Sequence, residues 1–212
     1  MDFIIRHETE RDYLEAEYVA REAFWNFHTP GCDEHYLLHT MRTHPDYLAD
    51  LSFVAEQDGK IIGGIYYANS FIVDAQDNRH DILTFGPLCV LPEYQNRGVG
   101  KRLIEHTCAL AAQKGHRAII IYGSPANYCR RGFVGSKKYG ITNAEGEYPY
   151  ALLVLQLYPG ALDGISGVFH EGDAYQFNPS DAAEYDKQFP YKEKLVTYTQ
   201  EEFSIACHAV VK

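Results

Sequence analysis

Gln95-x-x-Gly98-x-Gly100, with Arg97, Lys101 and Arg102 set among and just after the glycines, is the densest chemical pattern in the chain. It stands where an apolar strand gives way to a helix. Glycines at that spacing free the backbone, so that several N–H groups at the positive end of a helix dipole can approach one anion. Gln95, Arg97, Lys101 and Arg102 add the polar and cationic contacts that suit a diphosphate. Two familiar phosphate-binding patterns are excluded. A P-loop needs GxxxxGK[ST], whereas Gly100-Lys101 is preceded by Gln95 at the first glycine position and followed by Arg102. A dinucleotide fingerprint, GxGxxG, needs glycine at position 103, which is Leu103.

The elements that must carry this pattern follow from periodicity. "DFIIRHE" reads as a short strand, followed by a helix over 10–24 with Tyr13, Ala16, Val19, Ala20 and Ala23 on one stripe, and a second helix over 33–44. Strands over 51–57 and 60–75 are joined by Asp58-Gly59, a hairpin turn signal. A third strand over 80–91 contains Gly86-Pro87, which predicts a bulge or an unpaired ladder position, because proline has no N–H to donate. A helix over 98–114 carries Val99, Leu103, Thr107, Leu110 and Ala111 on one face, and Gly115 ends it. A buried strand over 117–123, a short helix from Ser124-Pro125 to Arg131, and a strand over 151–158 complete an α/β core. Its order is β, α, α, β, β, β, α, β, α, β. From Pro159 the chain becomes rich in turn residues and aromatics, with one helix expected over 180–188. The division predicted is a core of residues 1–158 and a C-terminal extension, 159–212, packed on it.

Composition narrows the function. The 212 residues carry a formal net charge of −10, which argues against general binding to nucleic acid or to an anionic membrane, so an anionic ligand must be held locally. Hydrophobic residues make up 46% and aromatics 14%, values of a globular enzyme and not of a disordered chain. The N-terminus does not read as a signal or transit peptide, and no run approaches the roughly 18 to 20 apolar residues of a membrane span. Five scattered cysteines, without CxxC spacing, read as reduced thiols of a cytoplasmic protein and give no metal site.

The surviving pattern, QxxGxG after the strand "GPLCVLPEYQ" and ahead of "ANYCRRGF", resembles the acetyl-coenzyme A motif of the GNAT N-acetyltransferases, and the runs look most like those of the YhbS-type predicted acetyltransferases. Two residues depart from the pattern. Asn96 stands where glycine or lysine is common, and Arg131 replaces an apolar residue before Gly132-Phe133. The resemblance spans about residues 3–158. It implies an α+β GNAT fold, whose central mixed, mostly antiparallel sheet is splayed at the acetyl-CoA cleft and flanked by helices.

It also implies roles. The strand through Leu88, Cys89 and Val90 would pair with the pantetheine arm, and a backbone N–H at Cys89 or Val90 would stabilise the oxyanion of acyl transfer. Gln95, Asn96, Arg97, Gly98, Val99, Gly100 and Lys101 would hold the pyrophosphate. Asn127 would contact the pantetheine. Tyr128, four residues before Gly132, would protonate the leaving thiolate. Acetyl-CoA would be the donor, with no metal, and direct attack by a primary amine needs no Ser or Cys nucleophile. The general base stays open among Glu22, Glu34, His35, His80 and water. Phe24, Trp25, Glu34 and His35 are expected at the site of a small-molecule amine or peptide acceptor, and a cationic amine suits the local acids. A monomer or homodimer is expected. Two rival functions remain: a non-catalytic acyl-CoA sensor, and an acyltransferase that uses a longer acyl donor or a protein acceptor.

Overall fold

A computed structural model describes residues 2–212. β1 (Ile4–His7) pairs with β2 (Phe53–Gln57), β2 with β3 (Lys60–Val73) and β3 with β4 (Arg79–Val90), all antiparallel. α1 (Tyr13–Phe24) and α2 (Glu34–Met41) lie between β1 and β2 in sequence. After β4 come α3 (Val99–Gln113), β5 (Ala118–Tyr122), α4 (Pro125–Tyr128), β6 (Val134–Gly135), β7 (Ile141–Thr142) and β8 (Leu152–Gln156). The chain ends with β9 (Gly167–His170), α5 (Pro179–Tyr185) and α6 (Tyr198–His208). The nine strands make one mixed sheet in the order β1-β2-β3-β4-β5-β8-β6, and β9 pairs with β3 and β7. Among the described residues, no helix is long and apolar enough to cross a membrane.

Local chemistry sets the features that matter for the site. Asp58 and Gly59 both take left-handed φ, 52° and 79°, as a two-residue hairpin turn requires. Between the pairs Ile65–Leu88 and Tyr67–Phe85, β4 inserts one extra residue, so the expected bulge falls at Gly86-Pro87. β4 and β5 run parallel but share only one registered pair, Leu83–Ile119, whereas β5 pairs with β8 along its whole length. Beyond Leu83 the two parallel strands therefore part. Helices cover both faces. α3 buries Val99, Leu103, Ile104, Thr107 and Ala111 against Ile62, Ile65, Leu83 and Ile119, while α1 and α2 bury Ala16, Val19, Ala20, Leu38 and Met41 against Val54, Tyr66 and Ala68 on the other.

The sequence reading needs correction at several ends. The first helix begins as a 3-10 turn over Glu10–Asp12, where the Asp12 carboxylate accepts from the Thr9 N–H and hydroxyl at 2.8 Å and from Arg6. The second helix ends at Met41. β6, β7, β9 and α6 have no counterpart in the expected list. Chain beyond position 158 enters the sheet itself, since Val168–His170 pair with Phe71–Val73 on the edge of β3 that β2 leaves uncovered.

Candidate active site

The parted strands form one wall of a cavity of about 840 Å³. On β4 the Leu91 N–H donates to Ile62 O, which makes that pair and the next alternate one, Gly64–Cys89, the hydrogen-bonded rungs. Leu88 and Val90 accordingly turn their backbone groups away from β3 and into the gap. The Val90 carbonyl already receives the Gln95 carboxamide at 3.0 Å. Next, Asn96 and Gly98 adopt left-handed φ of 58° and 87°, an alternation that curls successive N–H groups toward one point. The first bond of α3 runs from the Arg102 N–H to Gly98 O, so the N–H groups of Val99, Gly100 and Lys101 have no helical partner. Anion-binding geometry is thus built into the backbone.

Across the gap, α4 presents Asn127 and Tyr128. The Tyr128 ring packs against Phe85 and Phe133 at centroid distances of 5.9 and 5.5 Å. Burial pushes its phenol up to about 12, against the opposing effect of Arg131. Gly123 makes room for it, because a Cβ there would lie 2.6 Å from the Tyr128 ring. Arg131, the residue out of pattern, donates to the Asn127 carbonyl and lines the cavity.

The remaining walls come from distant parts of the chain. Phe24 reaches in from the end of α1, Phe27 and His28 from the α1–α2 linker, Glu34 from the start of α2, Glu171 and Tyr175 from the segment after β9, and Glu202 and Phe203 from α6. Asn26 ties these parts together. Its side chain donates to Glu193 O and accepts from the N–H groups of Gly31 and Leu195, and its carbonyl accepts from Thr197 and Gln200. The end of α6 is clamped to the approach to β8 by Tyr150 N–H to Ala209 O, Ala151 N–H to Ala206 O and Val211 N–H to Tyr148 O. Glu171 is reachable from solvent yet ringed by protein, and the lost hydration raises its carboxyl.

Residues 15–133 match the acetyltransferase (GNAT) family. This chain belongs to that family and is an acyltransferase. It is 28% identical over 138 residues to the uncharacterized N-acetyltransferase YhbS of Escherichia coli K12, covering 64% of this chain and 80% of the relative. To the uncharacterized N-acetyltransferase YjhQ of the same strain it is 33% identical over 92 residues, 42% of this chain, and it spans only 50% of that protein's length. The crystal structure of Escherichia coli YhbS in complex with CoA has a TM-score of 0.72 at 23% identity, covering 83% of this chain and 93% of that one. A GNAT family acetyltransferase from Brucella melitensis in complex with acetyl-CoA gives 0.66 at 24% identity, over 82% and 99%. These two structures establish the GNAT fold.

Within this GNAT chain, Leu88, Val90, Gln95, Asn96, Gly98, Val99, Gly100, Lys101, Asn127 and Tyr128 share one cavity with Phe24 and Glu34. Several other expected residues point elsewhere. The Cys89 thiol is buried on the opposite face, 3.7 Å from Gly64 O, and burial pushes it up to about 12. Its N–H faces β3 on the hydrogen-bonded rung, which leaves Val90 as the backbone donor of the two. Arg97 lies over the Tyr94 ring at 5.9 Å and Arg102 over Phe3 at 4.0 Å, so Lys101 is the member of the basic trio that lines the cavity. Trp25 donates to Glu193 O and stacks under Arg21 at 4.2 Å. His35 is fully buried beside Cys32 and Asp186, and desolvation lowers its pKa, which keeps the ring neutral.

Of the base candidates, Glu22 pairs with Lys192 at 2.9 Å and His80 with Asp74 at 2.8 Å, neither in the cavity, whereas Glu34 lines it and holds His28 at 2.8 Å. Sequence reasoning missed Glu171, Tyr175, Glu202 and Phe203. Only the Tyr and Phe content after Pro159 hinted that this segment packs on anything.

Proposed function

We propose that this protein is an N-acetyltransferase that moves the acetyl group of acetyl-CoA directly to a primary amine of a small-molecule or peptide acceptor. The observation that carries this reading is the single-rung contact between β4 and β5, which leaves the backbone of Leu88 and Val90 facing a gap that runs on to the free N–H groups of α3. A pantetheine arm with two amides fits such an edge as a strand would, and a diphosphate fits the curl at Asn96–Lys101. Asn96 suits its place because asparagine tolerates a left-handed φ. Arg131 adds a guanidinium to the donor side.

Acetyl-CoA supplies an activated thioester. The Val90 N–H donates to the acyl oxygen as negative charge develops there. Glu171, its carboxyl raised by desolvation, removes a proton from the attacking amine. Tyr128 gives its proton to the departing sulfur as the acyl carbon passes from sulfur to nitrogen. The phenol, pushed up to about 12 by burial, keeps its proton until the thiolate forms. In this scheme residues 1–158 carry the donor machinery, and 159–212 complete the acceptor wall.

Thermal unfolding with acetyl-CoA, and with ADP and NAD as controls, tests the donor assignment. A ligand at about 100 times its dissociation constant adds roughly 2.7 kcal/mol, a rise of several degrees for a domain of this size. A selective rise with acetyl-CoA is the expected outcome. An equal rise with NAD, or none, defeats the assignment.

A further inference from the structure

The acceptor wall carries chemistry that a donor cleft alone does not call for. Phe24, Phe27, His28 and Phe203 form a continuous aromatic lining at the seam between the α1–α2 linker and α6. Phe24 and Phe27 meet edge to face at 6.5 Å, His28 lies 5.3 Å from Phe24 and 4.9 Å from Phe27, and His28 stacks on Phe203 at 3.9 Å. Carboxylates flank it. Glu34 is taken up by His28, whereas Glu202, next to Phe203 on α6, makes no hydrogen bond or ion pair among the described residues.

Nearer the β4 bulge stands Tyr175, whose ring lies 3.5 Å from where a Cβ on Gly86 would sit. The residue lines the same cavity, and its phenol oxygen is buried with no hydrogen-bond partner among the described residues. An unpartnered buried hydroxyl is costly unless something else completes it. Glu171 lies four residues before it and lines the cavity too. The cationic side chains of the cavity, Lys101 and Arg131, come from α3 and the turn after α4, which build the donor side.

We propose that the acceptor is an amine bearing a second positive charge. The reacting nitrogen sits by Glu171 and the Tyr175 oxygen, and the distal cation sits among Phe24, Phe27 and Phe203 with Glu202 beside it. This rests on the reading of the cleft as an amine acetyltransferase site. Aromatic faces attract a cation through the ring quadrupole, carboxylates favour it further, and the methylene spacer packs against the rings. A neutral amine gains only the packing. An acidic acceptor meets three carboxylates.

The test is steady-state release of coenzyme A thiol with α,ω-diamines of four to six carbons against monoalkylamines of equal length. In parallel, calorimetry measures acetyl-CoA binding without acceptor. The expected result is a preference for diamines of about tenfold or more in kcat/KM, the ratio that one such cation site supplies. Glu202→Gln, at an exposed helix position that keeps its fold, and Phe203→Leu should each lower the diamine-to-monoamine ratio several-fold, with acetyl-CoA affinity unchanged. Equal rates for the two series, or a ratio that neither substitution moves, overturns the proposal. So does acetyl-CoA binding without acetylation of any diamine. Failure to bind acetyl-CoA at all strikes the parent reading instead, so the two failures are separable.

Discussion

The two sides of the cavity are built in opposite ways. The side proposed for the donor is one stretch of chain, Phe85 to Arg131, in which strand, turn, helix, strand and helix follow each other. The side proposed for the acceptor joins residues 24–34 to residues 171–206, held together by the hydrogen bonds around Asn26. A local stretch can write its function as a motif, because turn geometry ties residue type to position. A composite wall cannot, since each of its residues is ordinary in its own neighbourhood and gains a role only from a partner more than a hundred positions away.

Substitutions that separate the two sides test this contrast. Tyr128→Phe should have the largest effect, lowering kcat roughly hundredfold, the lower end of general-acid contributions, while calorimetry finds acetyl-CoA affinity nearly unchanged. Gly98→Val forces a β-branched residue into φ of 87° and should weaken acetyl-CoA binding about tenfold, with a lower Tm, because the left-handed region costs roughly 1–2 kcal/mol per L-residue. Acceptor KM should change far less than donor affinity in that variant.

On the other side, Glu171→Gln should cut kcat/KM about tenfold and reshape its pH profile. With Glu171 present the rate climbs as its raised carboxyl ionises, and without it the climb follows only the ionisation of the amine. Asn26→Ala leaves the N–H groups of Gly31 and Leu195 without their acceptor, and urea unfolding should show a loss of about 1–3 kcal/mol, with acceptor KM raised and donor affinity kept. The smallest effect belongs to the Phe85–Arg131 side alone. Tyr122 and Tyr128 have phenols raised to about 12 by burial from an ordinary 10. Their contribution to stability is full below about pH 10 and is lost as pH rises toward 12, a decline that chemical denaturation across that window would record.

How much was legible in the sequence follows the same division. The meander, the bulge at Gly86-Pro87 and the glycine-opened helix announce themselves through period, proline or glycine, whereas Tyr128 was singled out only by the family resemblance. Lost were the directions of side chains. Arg97 and Arg102 lie on Tyr94 and Phe3, and Cys89, expected to act through its backbone, has its N–H toward β3. Trp25 and His35 were expected at an acceptor site and serve instead in the contacts to Glu193 and Asp186, because α1 and α2 bury a stripe against the C-terminal segment as well as against the sheet. β9 and α6 escaped notice because a four-residue strand and a helix of sequence YTQEEFSIACH, in which middling helix formers such as Tyr, Thr, Phe, Ser, Ile, Cys and His prevail, take their identity from the surface that receives them.

The clamp of residues 206–211 on residues 148–151 is made of main-chain bonds: Tyr150 N–H to Ala209 O, Ala151 N–H to Ala206 O and Val211 N–H to Tyr148 O. Bonds of that kind do not depend on which side chains stand there. The stretch of cavity wall that Glu202 and Phe203 line is therefore seated by backbone, and its side chains are free to set the chemistry of what fits against it.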